Sequence, residues 1–287
     1  MKNNIPFVFF GSPEFAVKIL DVLKSHDYFP VCIVTQEDKP KGRKLIITPP
    51  PVKIWAQEHS IPFIQPKTLR SPEIVEELRK WKAEVFIVAS YGKIIPQAVL
   101  DIPKKGTLNV HPSLLPKLRG ASPIPGAILQ EDKTGVSIML LDADMDHGPI
   151  LAQEVANIAN WPPYADELED ILANIGGNLL VRTLPEWVRG NIAAVEQEHD
   201  KATFVKKIEK EDALIDLSAH AEENLRKIKA YAEKPNAYTF LNINGKQTRI
   251  IIKKAHIDNG LLVLDRIIPE GKREMSFEEF KRGHIKN

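Results

Sequence analysis

The segment GTLNVHPSLLP, Gly106 to Pro116, ends an apolar run in an Asn, a His and two prolines. In an extended chain Asn109 and His111 point to the same side, because side chains alternate with a period of two. An Asn amide can donate to a developing oxyanion, and a His can donate as well or relay a proton. Together they suit acyl transfer. Taken alone, N-x-H is commoner as loop structure than as chemistry. A second segment, LDADMDHGPI, Leu141 to Ile150, carries Asp142, Asp144 and Asp146 at alternate positions. The spacing resembles a calcium loop, but that pattern needs Gly where this chain has His147 and Glu where it has Gln153. No metal is expected. One of the three carboxylates could serve as a base or orient His111; spacing alone does not choose which.

The third candidate is TQEDKPKGRKLIITPPPVK, Thr35 to Lys53, with Lys39, Lys41, Arg43, Lys44 and Lys53 among four prolines. It is long for a connection between a strand and a helix, and it reads as a stiff, non-helical loop. Such a loop is a solvated basic surface or a contact for a phosphate backbone. Gly11 stands without the further glycines of a dinucleotide fingerprint, and neither a P-loop nor zinc-ligand spacing occurs.

The elements that must position these residues alternate. Ile5–Phe10 is an apolar strand, and Ser12-Pro13 reads as N-cap and first helical residue before Phe15, Ile19, Val22 and Leu23. Val31–Thr35, Glu84–Ser90, Thr107–Val110, Gly135–Leu141 and Ile150–Val155 read as strands. Val52–His59 and the stretch from Ser71-Pro72 to Trp81 read as helices. The alternation predicts an α/β fold, a Rossmann-like, mostly parallel sheet with helices on both faces. Tyr164–Arg189 carries a helical stripe that Gly176-Gly177 and Pro185 should interrupt. Gly190–Thr203 is polar and reads as a linker. Beyond it come a helix at Ser218–Tyr231 and two hairpins, signalled by Asn244-Gly245 and Asn259-Gly260 between β-rich runs. Ser276 and Glu279 form a capping box for a last helix. The expected organisation is a catalytic domain over 1–189, a linker over 190–203 and a small β-barrel-like domain over 204–287.

The 287 residues hold 39 Lys+Arg and 38 Asp+Glu, but unevenly. From Lys201 to Asn287 there are 18 Lys+Arg against 13 Asp+Glu, a net +5, which leaves −4 for residues 1–200 in a chain of net +1. A basic end on a mildly acidic body suits a polyanionic partner or a lysine-rich solvated surface. The single cysteine, Cys32, excludes an intramolecular disulfide and reads as a small buried strand residue. No apolar stretch is long enough for a membrane span, and the first residues are too short an apolar run for a secretory signal, so a cytoplasmic location is expected.

Several segments together carry a resemblance that no single one does. FFGSPEFA, TQEDKPKGR followed by PPPVK, IPFIQPKTLRSP, AEVFIVASYGKIIPQAVLD, GTLNVHPSLLPKLRGASPI, DADMDHGPIL and the distant IIPEGKREMSFEEFKRG occur in one order. In that order the chain resembles the folate-dependent formyltransferases, and among them the methionyl-tRNA formyltransferase family, over nearly its whole length.

The resemblance implies that Asn109, His111 and Asp146 are the catalytic trio and that 10-formyltetrahydrofolate is the formyl donor. The donor would lie along Val88, Ala89, Ser90, Tyr91, Gly92 and Ile94, with Ser113, Leu114, Leu115, Pro116 and Asp142 across from them. It also implies that Lys39, Lys41, Arg43 and Lys44 meet initiator methionyl-tRNA, that Phe15 touches the methionine or serves the core, and that the protein works as a monomer. The trio is common to formyltransferases acting on nucleotide-linked amino sugars, which are the alternative; they usually lack both the basic loop and the C-terminal signature. The chain departs from the family pattern in a short C-terminal domain, in His147 beside Asp146, where the family mostly has Thr, and in Ser90, where it commonly has Ala.

Overall fold

The computed structural model describes residues 5–42, 44–243 and 245–284. Spatially these fall into two units. The first comprises 1–119, 134–156 and 170–204, and the second comprises 120–133, 157–169 and 205–287.

The first unit is built on a seven-stranded sheet. Its strands β1 (Phe7–Gly11), β2 (Cys32–Val34), β5 (Phe63–Ile64), β6 (Val85–Ala89) and β7 (Thr107–His111) are parallel where they pair. The two strands that follow, Gly135–Leu140 and Ile150–Val155, run antiparallel at one edge. The spatial order is Ile150–Val155, Gly135–Leu140, β7, β6, β1, β2, β5. Thus β7 lies inside the sheet, with Val88 of β6 and Met139 on either side of Asn109. β1, β6 and β7 are buried at every residue, as both-faced coverage of a parallel sheet requires.

Four readings of the sequence change. Helix α1 (Glu14–Ser25) begins after Pro13, not at it, and Ser12 does not cap it. The Ser12 hydroxyl instead accepts from Thr35 Oγ1 and from the Gln36 amide, tying the end of β1 to the end of β2. The stretch Thr35–Lys53 is not a plain loop, because Lys39–Lys41 (β3) and Ile46–Thr48 (β4) pair as an antiparallel ribbon ahead of helix α2 (Pro51–Glu58). Arg43, between them, lies outside the described residues.

The third change is in the helix Ala165–Arg189, which runs unbroken through Gly176, Gly177 and Pro185. A Cβ on Gly176 would come within 2.7 Å of Val110, and one on Gly177 within 2.6 Å of Val22. The glycines let the helix lie close to β7 and to α1, so packing overrides their poor helix propensity. The fourth change is in the second unit, where the helix is shorter than Ser218–Tyr231, spanning Ala221–Ala230. Helix α3 (Pro72–Lys80) is capped by Ser71, which accepts from the Ile74 amide.

The second unit holds a four-stranded antiparallel sheet in chain order, Tyr238–Ile243, Lys246–Asp258, Leu261–Pro269 and Met275–Ser276. Ile243 faces Lys246 and Asp258 faces Leu261, so both hairpins close through two residues. Asn259 and Gly260 both have positive φ, as the type I′ turn requires. Asn244 lies outside the described residues. The capping box is reciprocal: Glu279 N–H donates to Ser276 Oγ, and Ser276 N–H to Glu279 Oε2.

Candidate active site

β7 ends in His111, and the parallel strand β6 ends beside it, Val88 pairing with Asn109. Asn109 and His111 are both buried there, and the Asp142–Gly148 turn follows the adjacent antiparallel strand Gly135–Leu140. His111 Nδ1 lies 3.6 Å from Asp146 Oδ1, with the ring 4% and the carboxylate 12% exposed. That separation is longer than a direct hydrogen bond. The other nitrogen, Nε2, is 3.1 Å from the Leu118 carbonyl oxygen. A carbonyl only accepts, so Nε2–H donates, and Nδ1 is the nitrogen left to face Asp146.

Of the three aspartates, the structure brings Asp146 to His111. Asp142 is occupied within its own turn, accepting from the Asp144 amide at 3.0 Å and from His147 Nδ1 at 2.8 Å. Asp144 is exposed. Asp146 has φ +51°, and Gly148 lies so close to the Leu140 carbonyl that a Cβ there would be 2.2 Å from the oxygen. The turn is therefore tight, and its shape delivers one carboxylate to the ring.

The strand-end loops expected to hold a donor molecule are also placed at this rim. Val88 and Ala89 close β6, and Ser90 and Gly92 turn the chain at positive φ. Ile94 is 82% exposed, whereas Tyr91 turns its ring into the core edge-on to Phe10. Burial there pushes its hydroxyl up to about 12. The Ser113–Lys117 loop is pinned from inside. Ser113 donates to the Lys117 carbonyl, Ser137 to the Ser113 carbonyl, and Gln153 to the Leu115 carbonyl. The side chains of Tyr91 and Ser113 thus shape the walls and do not point outward. Leu115 is buried, while Leu114 and Pro116 are half-buried.

Lys39, Lys41 and Lys44 are exposed on the β3–β4 ribbon with Leu45, Ile46 and Ile47 at its tip. Lys53, in the same stretch, is committed elsewhere. It pairs with Asp38 at 2.7 Å, and Gln65 and Lys53 together hold the Asp38 carboxyl below its usual range. Phe15 is buried in the core.

Three residues that motif reading passed over complete the site. Arg119 and Gln197 are 3% and 5% exposed. Gln197 Oε1 accepts from Arg119 Nε at 3.1 Å and Nη2 at 2.6 Å, while its Nε2 donates to the carbonyls of Asp146 at 3.0 Å and Gly148 at 2.7 Å. His199 Nδ1 accepts from Arg119 Nη2, and its ring stacks on His147 at 4.1 Å. The only signal in the sequence was a Gln and a His in a polar stretch. Among the described residues no group of side chains could hold a metal ion.

The chain matches two family models, described as formyl transferase over residues 3–184 and formyl transferase, C-terminal domain, over 207–260. It is 49% identical to a methionyl-tRNA formyltransferase of Chloroflexus aurantiacus over 85% of this chain and 78% of that one. Among solved structures it superposes on the methionyl-tRNA formyltransferase from Clostridium thermocellum with a TM-score of 0.65, at 16% identity, over 92% of this chain and 98% of that one. A sugar N-formyltransferase from a Shewanella species gives a TM-score of 0.64 at 17% identity, over 85% and 95%. At such identities the two structures share the fold and do not distinguish the acceptor.

Proposed function

The chain belongs to the formyl transferase family, and on that premise we propose that it transfers the formyl group of 10-formyltetrahydrofolate to the amino group of methionyl-tRNA. The observation that carries the reading is His111 Nδ1 lying 3.6 Å from Asp146 Oδ1, with Asn109 two residues before His111 on the same strand. The acceptor is argued from the relative that is 49% identical and from the basic ribbon.

In the proposed reaction the amine attacks the formyl carbon, and the carbonyl oxygen becomes an oxyanion. The Asn109 amide donates to it, an interaction of about 3 kcal/mol for one well-placed donor. Asp146 takes the proton that the attacking nitrogen sheds, directly or through water. With Nε2–H given to Leu118, Nδ1 of His111 is free to take that proton on from Asp146 and pass it to the departing folate nitrogen. The carbon–nitrogen bond to folate breaks and that nitrogen is protonated, so charge and protons balance. Lys39, Lys41, Arg43 and Lys44 contact the phosphates of initiator tRNA, and the protein acts as a monomer in the cytoplasm.

The test is direct. Purified protein, 10-formyltetrahydrofolate and methionine-charged initiator tRNA should yield formyl-methionine, and Asn109→Ala should remove most of the turnover with the fold intact. Formylation of a nucleotide-linked amino sugar in place of the tRNA would overturn the acceptor.

A further inference from the structure

The polar stretch from Gln197 to Thr203 is folded onto the site. At one end Gln197 grips the Asp146 turn. At the other, Thr203 Oγ1 accepts from the Leu118 amide at 2.9 Å, and Leu118 is the residue whose carbonyl takes His111 Nε2–H. The Thr203 carbonyl also accepts from the Arg119 amide. One short segment therefore touches the backbone beside both partners of the His111–Asp146 pair.

We infer that Gln197 is a positioning residue for the reaction, holding the Asp146 turn at the distance from His111 that proton transfer needs. The inference rests on the reading of Asp146 as the proton acceptor. The Gln197 carboxamide uses both donors and two acceptor directions, and each is matched by a group of fixed polarity. Arg119 only donates and the two carbonyls only accept, so the amide has one orientation. That orientation holds Asp146, at φ +51°, and Gly148 from the same side. A fully satisfied buried network of this kind specifies one geometry, and leaving one partner unmatched disturbs it. The stacked His147 and His199 rings extend the network, since His147 also bonds Asp142.

The test uses Gln197→Glu. The carboxylate keeps the partner of Arg119 but turns an acceptor toward two carbonyl oxygens, so the turn is released while the buried cation stays paired. Single-turnover formylation should slow by about tenfold to a hundredfold, the scale of an ångström-sized misplacement. Folate affinity, read by binding fluorescence, should stay within about twofold, and the melting temperature should hold. Gln197→Met, which removes all four bonds at similar length and also unpairs Arg119, should melt lower but slow formylation on the same scale, and serves if the Glu variant does not fold. Combined with Asp146→Asn, Gln197→Glu should add less than about twofold, because the group it positions is gone. Wild-type turnover in Gln197→Glu beside an inactive Asp146→Asn would overturn this role alone. An equal loss in both backgrounds would do the same and mark Gln197 as merely structural. Full turnover in Asp146→Asn would sink the site assignment itself, and the role with it.

Discussion

His111 and Asp146 are separated by 3.6 Å, and the side of the ring that faces the carboxylate is decided by a backbone carbonyl. Asp146→Asn should lower turnover by about a hundredfold or more, the usual worth of general acid–base help, with unchanged folate binding. Steady-state assays on both substrates would check it, and near-normal turnover would refute the assignment. At Cys32 the same scale predicts silence. Burial first, then the charge of Glu77, pushes the thiol up to about 12. Below that pH it stays protonated, so at pH 8 only about one thiol in ten thousand is the reactive thiolate. Iodoacetamide should leave the native protein unlabelled at pH 8 and label it fully in denaturant; rapid native labelling would contradict the buried placement.

At the scale of elements, two helices show opposite balances between local preference and packing. The last helix, Phe277–His284, begins at a reciprocal capping box between Ser276 and Glu279. Hydrogen bonds from the Ser276 amide and hydroxyl hold the Glu279 carboxyl below its usual range. Ser276→Ala removes the cap and should cost about 1 kcal/mol in urea unfolding. The helix Ala165–Arg189, in contrast, contains Gly176 and Gly177 against its own propensity. Gly177→Leu would drive a side chain into Val22 and should destabilise by about 1–3 kcal/mol, although Leu is the better helix former. A variant as stable as the parent in the same unfolding experiment would show that helix and α1 are not so closely packed.

For the whole molecule the decisive property is the distribution of charge, not its sum. A net charge of +1 gives no general attraction to a polyanion. Under the proposed function, binding of tRNA would rest on local clusters, the candidates being the exposed Lys39, Lys41 and Lys44 and the basic stretch after Lys201. Each phosphate neutralised adds roughly 0.9 to the slope of log affinity against log salt on duplex nucleic acid. Replacing the three ribbon lysines with Ala should reduce that slope by about 2–3 and weaken binding at low salt. Filter binding across a salt series measures both, and an unchanged slope would remove the ribbon from the interface.

The candidate segment was legible from the start because Asn109 and His111 share one strand and one side, a relation that a period of two already contains. The alternation of strands and helices, the two-residue hairpins and the capping box were legible for the same reason, since each depends on residues a few positions apart. Spacing narrowed the candidate carboxylate to one of three aspartates, and the resemblance pointed to Asp146. Its approach to His111 needed the Asp142–Gly148 turn, whose form follows from a close approach to Leu140 and a hold by Gln197, some fifty residues away. The continuity of the helix through Gly176 and Gly177 likewise depended on Val110 and Val22, which only the fold brings against it. Local preference is written along the chain, but the partner that satisfies a buried polar group or fills the space above a glycine is not, because that partner is distant in sequence and its position is set by the packing of the whole sheet.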